Sequence, residues 1–172
     1  MDGKKISILL EDFVEDVEFI YPFYRFKEEG FIVDVLAPKV GEFKGKKGLI
    51  FHSSHRVDPE NAHRYEAVFI PGGYAPDRFR RDRETLEFIR RAYTENKIVA
   101  AICHGPWALI SAGIIKGKRV TGFFSIKDDI QNAGAIYTGK PVEVDGNLIT
   151  ATDPKAMPEM MKILISILKE RV

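Results

Sequence analysis

Four apolar runs punctuate the chain: KISILL (5–10), FIVDVLA (31–37), AVFIPGG (67–73) and KIVAAIC (97–103). Each is rich in Ile, Val or Ala and nearly continuous in hydrophobicity. That pattern marks strands buried on both faces, as in a parallel sheet. Helical patterns separate the runs. The first spans roughly Val14–Glu29, closed by Gly30 as a C-cap, with Pro22 expected to kink it or end a first segment. A second spans about Arg83–Asn96. Leu86, Ile89 and Tyr93 are placed on its inner face and Arg80, Arg81, Arg90 and Arg91 outward.

Past the fourth run, Pro106–Ala112 reads as a short helix stopped by Gly113, and KDDIQNAG (127–134) as another ended by glycine. VEVDGNLITA (142–151) alternates and turns at Asp145-Gly146, a hairpin signal. The last helix, about Pro154–Lys169, carries Met157, Met160, Met161, Leu164, Ile165 and Leu168 on one side, a core stripe. Repeated βα units predict one doubly wound α/β domain over 1–172, with ligands at the carboxyl ends of the strands.

Composition narrows the function. At 172 residues and a formal net charge of +1, the chain has a full-sized core and no field that favours nucleic acid or an anionic membrane. The N-terminal apolar run is too short for a signal peptide, and no segment is long enough to span a bilayer. A single cysteine allows no internal disulfide, which suits a reducing cytoplasm. His52, His55 and His63 are scattered and there is no second cysteine, so no metal or cofactor is expected. Gly72-Gly73 matches no nucleotide-binding motif.

The cysteine carries the chemistry. Cys103 ends a strand just before a helix, in A-I-C-H-G, and reads either as a small core residue or as a nucleophile. Ala101 and Gly105 are small where a strand–turn–helix elbow brings chain segments close. Pro106 suits a first helical turn, and the helix dipole would favour a thiolate. His104 follows directly, although a side chain after the nucleophile usually points away from it. IPGGYAPDRFR (70–80) places Gly72 and Gly73 at a neighbouring strand end, where a backbone N–H with that of His104 would form an oxyanion hole. EDFVEDVEF (11–19) brings acids to the same edge. Glu15 and Glu18 share a helical face, and a protonated Glu18 would donate to the sulfur.

Together these segments resemble the ThiJ/PfpI family, within the class I glutamine amidotransferase-like folds. The likeness runs from EDFVEDVEFIYPFYRFKEEG through FIPGGYAPDRFR and AAICHGPWALISAGII to IKDDIQNAGA, and its PfpI-type members are intracellular proteases. The resemblance implies a flavodoxin-like sandwich with Cys103 as nucleophile, Glu18 at the sulfur, Gly73 and His104 as oxyanion donors and His104 as base. It also implies a homo-oligomer, dimer or hexamer. In it an acid matching Asp77 would come from a neighbouring subunit, so that the active site lies near the interface. Relatives carry Glu at that position, and a tyrosine where this chain has Phe123. The activities implied are deglycase or glyoxalase action on glyoxal-type carbonyl adducts, peptide hydrolysis by a Cys-His-Asp triad, and redox sensing or chaperoning under stress.

Overall fold

A computed structural model describes residues 3–171. In chain order the elements are β1 (Lys5–Leu9), α1 (Asp16–Glu28), β2 (Ile32–Ala37), β3 (Glu42–Lys44), β4 (Ile50–His52), β5 (His55–Arg56), β6 (Ala67–Ile70), α2 (Ala75–Phe79), α3 (Arg83–Thr94), β7 (Ile98–Ile102), α4 (Pro106–Ala112), β8 (Arg119–Val120), α5 (Lys127–Asn132), β9 (Ile136–Tyr137), β10 (Val142–Asp145), β11 (Leu148–Ala151) and α6 (Met157–Glu170). The main sheet runs β10-β11-β7-β6-β1-β2-β5. All its pairings are parallel except the β10–β11 hairpin at one edge. Helices on both faces explain why β6 and β7 have no exposed position. The sheet starts in the centre, at β1, and winds both ways, so the strand order reverses between β1 and β6, where such folds open a crevice.

Three expectations about the elements change. The first helix begins at Asp16, because Val14 is held in an antiparallel bridge to Gly73 and cannot enter the helix. Pro22 lies inside α1 rather than ending it. Its ring is buried against the core, and packing outweighs the one lost backbone bond. In α3 the inner face comprises Thr85, Phe88, Ile89 and Ala92, with Leu86 and Tyr93 at its margins. Arg80 and Arg90 do not simply face water. Arg80 Nε donates to Ser111 Oγ and Arg90 Nε to the Ala112 carbonyl, which ties the α2–α3 region to α4.

Other expectations match. Gly30 follows the helix at φ +85°, and the Phe31 N–H returns to the Phe26 carbonyl. The hairpin turns at Gly146, φ +63°. All six residues of the α6 stripe are buried.

Candidate active site

Cys103 follows β7 at the carboxyl edge of the sheet, with φ +61°. A non-glycine residue in this region is strained, and it persists only where neighbours enforce it. Here they do. The Cys103 N–H donates to the Ala151 carbonyl on one side, and the Cys103 carbonyl accepts from the Phe123 N–H on the other. The Gly105 N–H closes the turn onto Ile102 at 2.7 Å. A Cβ on Gly105 would lie 2.8 Å from both the Ile102 and Ile70 carbonyl oxygens. The small residue after the cysteine is thus demanded by backbone, including that of the neighbouring strand β6, rather than by Ala101.

Within this turn Cys103 is buried, with 9% of its surface exposed. The His104 ring does not point away. It folds back so that Nδ1 lies 3.3 Å from Cys103 Sγ, while Nε2 lies 3.4 Å from Ser125 Oγ. Phe123 stacks on the imidazole at 5.1 Å and Trp107 meets its edge at 5.0 Å, so the ring is clamped between two aromatics. The backbone N–H groups of Gly73 and His104 both face the sulfur.

Glycines bring the acidic loop to the thiol. Gly73 takes φ +73°, and a Cβ there would collide with the Glu15 amide nitrogen. The contact is made instead by backbone: the Tyr74 N–H donates to the Phe13 carbonyl and the Glu15 N–H to the Gly72 carbonyl. A Cβ on Gly72 would lie 2.7 Å from Glu18 Oε1 and 2.8 Å from Cys103 Cβ. Gly72 therefore separates the carboxyl and the cysteine by one bare backbone unit. Glu18 is 0% exposed. Neither of its oxygens has a partner at regular hydrogen-bond geometry, and the groups facing it are the Gly72 amide and the Cys103 sulfur.

Burial controls the charges. It pushes the Glu18 carboxyl up to about 8, with the Glu15 charge adding to the effect. Glu18 is thus protonated at neutral pH. Burial likewise pushes the Cys103 thiol up to about 12, helped by the Glu18 charge and opposed by the Gly73 and His104 amides and by Lys46. This reverses the sequence-based expectation of a dipole-favoured thiolate: desolvation outweighs a seven-residue helix. Part of the penalty disappears once Glu18 holds its proton, because the repelling charge is gone. The His104 imidazole sits below its usual range, through burial first and the Lys46 ammonium second, with Asp129 pulling the other way. It is neutral at pH 7.

Glu15 and Glu18 separate. Glu15 precedes α1, stays half-buried and pairs with Lys46 at 2.9 Å, while only Glu18 turns inward. Asp77 lies exposed in α2, beside Phe13, Tyr74, Arg78 and Trp107, in a surface hollow separate from the Cys103 cavity. Within the chain it does not bond His104, whose ring partners are Cys103 and Ser125. The cavity over the sulfur is about 330 Å3, lined by Glu15, Lys46, Gly73, Tyr74, His104 and Phe123 among others. Sequence reasoning passed over Lys46, Ser125 and Asp129, which come from segments remote in the chain. A G-K-K-G turn and an exposed serine carry no local signal of an active site.

Residues 4–167 match the DJ-1/PfpI family. Deglycase PfpI of Pyrococcus furiosus is 39% identical over 165 residues, spanning 96% of this chain and 99% of that protein. Putative cysteine protease YraA of Bacillus subtilis is 35% identical, over 97% and 99% of the two chains. Among solved structures, a two-domain protein of Anabaena variabilis with dj-1/thij/pfpi-like and ferritin-like domains superposes with a TM-score of 0.94 at 42% identity, over 96% of this chain and 48% of that one. Drosophila melanogaster DJ-1beta superposes with a TM-score of 0.88 at 25% identity, over 99% and 90%. With most of its length matched by a family of this fold and by curated relatives above 30% identity, the chain belongs to the DJ-1/PfpI family.

Proposed function

We propose that the protein is a cysteine-dependent deglycase, with Cys103 as nucleophile toward glyoxal- and methylglyoxal-derived carbonyl adducts on amino groups and thiols. The observation that carries this reading is the strained Cys103 turn at the floor of a small cavity. The sulfur there meets two backbone N–H groups and a neutral imidazole nitrogen. The names of the curated relatives support the substrate class.

The geometry supports one route. Sγ adds to the carbonyl carbon, the S–C bond forms, and the C=O π pair moves to oxygen. The thiol proton passes to His104 Nδ1, which is free to accept when the ring proton sits on Nε2 toward Ser125. The developing oxyanion lies two bonds from the sulfur, across the new S–C bond, within reach of the Gly73 and His104 amides. Protonated Glu18 faces the sulfur and is placed to donate to it once the thiol proton has left. Phe123 fixes the imidazole by stacking and offers no hydroxyl to the substrate. Such chemistry requires a reduced thiol, which suits the cytoplasm. Among the described residues no helix is long and apolar enough to cross a membrane.

The peptidase reading draws on the same cysteine and on the name of the Bacillus relative. It needs an acid on His104, and Asp77 can serve only from a second copy in a dimer or hexamer, with the site at the interface. The 330 Å3 cavity suits a small carbonyl group better than an extended chain. The redox-sensor reading is the least supported, because a buried thiol with a raised pKa oxidises slowly.

The test compares wild type with Cys103→Ser on methylglyoxal-treated N-acetyl amino acids and thiols, on methylglyoxal, and on fluorogenic peptides. Cysteine-dependent release of the amine or thiol is expected. Cysteine-dependent peptide cleavage without adduct hydrolysis would overturn the proposal.

A further inference from the structure

Lys46 is the only Lys or Arg among the described residues that line the Cys103 cavity. Its placement is built from outside the catalytic segments. The turn at 45–48 closes by the Gly48 N–H on the Gly45 carbonyl, and the Gly45 N–H returns to Leu49. Asp16, buried in the first turn of α1, accepts from the Lys47 N–H at 2.8 Å and the Leu49 N–H at 3.2 Å. Gly45 has no side chain because the Asp16 carboxylate occupies that space. The Lys46 N–H donates to the Val14 carbonyl, one residue from the Glu15 whose carboxylate holds the ammonium at 2.9 Å. The ammonium also lies 5.1 Å from the centre of the Tyr74 ring. A lysine on a free surface loop loses side-chain entropy if it is held in one place; here one turn, one carboxylate and one aromatic face all hold it.

The charge arrangement has a direction. The ammonium acts on both Cys103 and His104, which it pulls toward thiolate and neutral imidazole respectively. Burial keeps Glu18 protonated, and the Glu15 carboxylate adds to that effect. With Glu18 and His104 both neutral, the charges left on the cavity wall are the Lys46–Glu15 pair, and within it the ammonium is the group that acts on the sulfur as a cation.

We propose that Lys46, held by Glu15 and the Asp16-clasped turn, is the specificity-determining residue of the Cys103 cavity and selects carbonyl adducts that carry a carboxylate within reach of the ammonium, as an amino-acid adduct does. The inference deepens the deglycase reading and rests on Cys103 being the reactive group. An anionic substituent would meet the ammonium while the carbonyl oxygen meets the Gly73 and His104 amides. Glu15 then shares the ammonium with the substrate and positions it without touching the reacting atoms.

The experiment reads charge selection at the sulfur without any assay of turnover. Purified protein is alkylated with iodoacetate and, separately, with iodoacetamide. In both, Sγ displaces iodide, and the reagents differ in the carboxylate. The measured quantity is the ratio of the two rates, set against the ratio for N-acetylcysteine. Wild type is expected to favour iodoacetate over the free thiol's ratio. Lys46→Met should lower the ratio by about tenfold, the scale of one ion-pair contact in a partly screened site, and Lys46→Arg should keep it. Glu15→Gln, which leaves the ammonium unshared, should raise it. A ratio unchanged by Lys46→Met, or a Glu15→Gln variant with a ratio at or below wild type, overturns the proposal. A protein that alkylates as expected yet hydrolyses no adduct would count against the deglycase reading and leave the cation's role standing.

Discussion

The imidazole of His104 turns back on the residue before it, with Nδ1 3.3 Å from Cys103 Sγ. Adjacent residues on a strand place their side chains on opposite faces, so this pairing exists only because Cys103 sits at φ +61°. The strain of the turn creates the pair. Everything that holds the turn, including the Ala151 and Phe123 backbone contacts, is therefore part of the site.

Gly72→Ala should damage both stability and activity. The added Cβ would meet Glu18 Oε1 at 2.7 Å and Cys103 Cβ at 2.8 Å, and both neighbours are buried. Overpacking of this kind costs about 1–3 kcal/mol. Urea unfolding should show that loss together with a sharp fall in Cys103 alkylation rate. Gly113→Ala is the comparison: nothing lies within 4 Å, so its cost comes only from φ +74°.

Stability should fall as pH rises across the titration of Glu18. Its folded pKa, about 8, is above the ordinary value of 4.5, so between these values the folded state binds more protons than the unfolded one. The advantage of the protonated carboxyl is complete below about 4.5 and gone above about 8. The shift corresponds to about 5 kcal/mol. Glu18→Gln removes a titrating group while keeping the shape. The difference in unfolding free energy between wild type and this variant, measured from pH 5 to pH 9, should become less favourable to wild type as pH rises. A flat difference would mean Glu18 is ionised in the fold.

Asp129→Asn should move the acid limb of the pH–rate profile downward. His104 must be neutral to accept the thiol proton, and its pKa already lies below 6.5. Asp129, held by the Trp107 indole N–H at 2.9 Å, is the charge that raises it. Removing that charge should extend activity to lower pH with little change on the alkaline side. Profiles of kcat/KM on one adduct check it, and an unmoved limb would show that the ring is not the titrating base.

Subunit mixing tests Asp77. If the acid acts across an interface, Cys103→Ser and Asp77→Ala proteins, each inactive, should regain part of the wild-type peptide-cleaving activity after dissociation and reassembly together. Random pairing limits recovery to about a quarter of the sites in a dimer. No recovery, or a fully active Asp77→Ala protein, removes Asp77 from the site.

Much of the architecture was legible because burial on both faces writes itself into composition. The runs that became β1, β2, β6 and β7 are dominated by apolar residues, with Lys5, Ser7 and Asp34 the polar positions in the strands. Cys103 was legible for a related reason: a tight turn excludes Cβ atoms, so Gly105 records the elbow. The short strands β3, β4 and β5 left no such trace, since most of their positions face water and polar residues serve there equally well. The start of α1 was misplaced because the bridge of Val14 to Gly73 joins segments almost sixty residues apart in the chain.

Local sterics and hydrophobic pattern, both readable along the chain, set the sheet, the elbow and the glycines at its edge. The protonation of the site was not readable, because it depends on desolvation, and desolvation depends on what the fold packs around each group. A helix start after the cysteine argued for a thiolate, yet burial raises the thiol and leaves Glu18 neutral beside it. Lys46 shows the same limit from the other side. Its ammonium reaches the cavity only because Asp16 clasps a distant turn, a contact of tertiary folding to which the G-K-K-G segment bears no local witness.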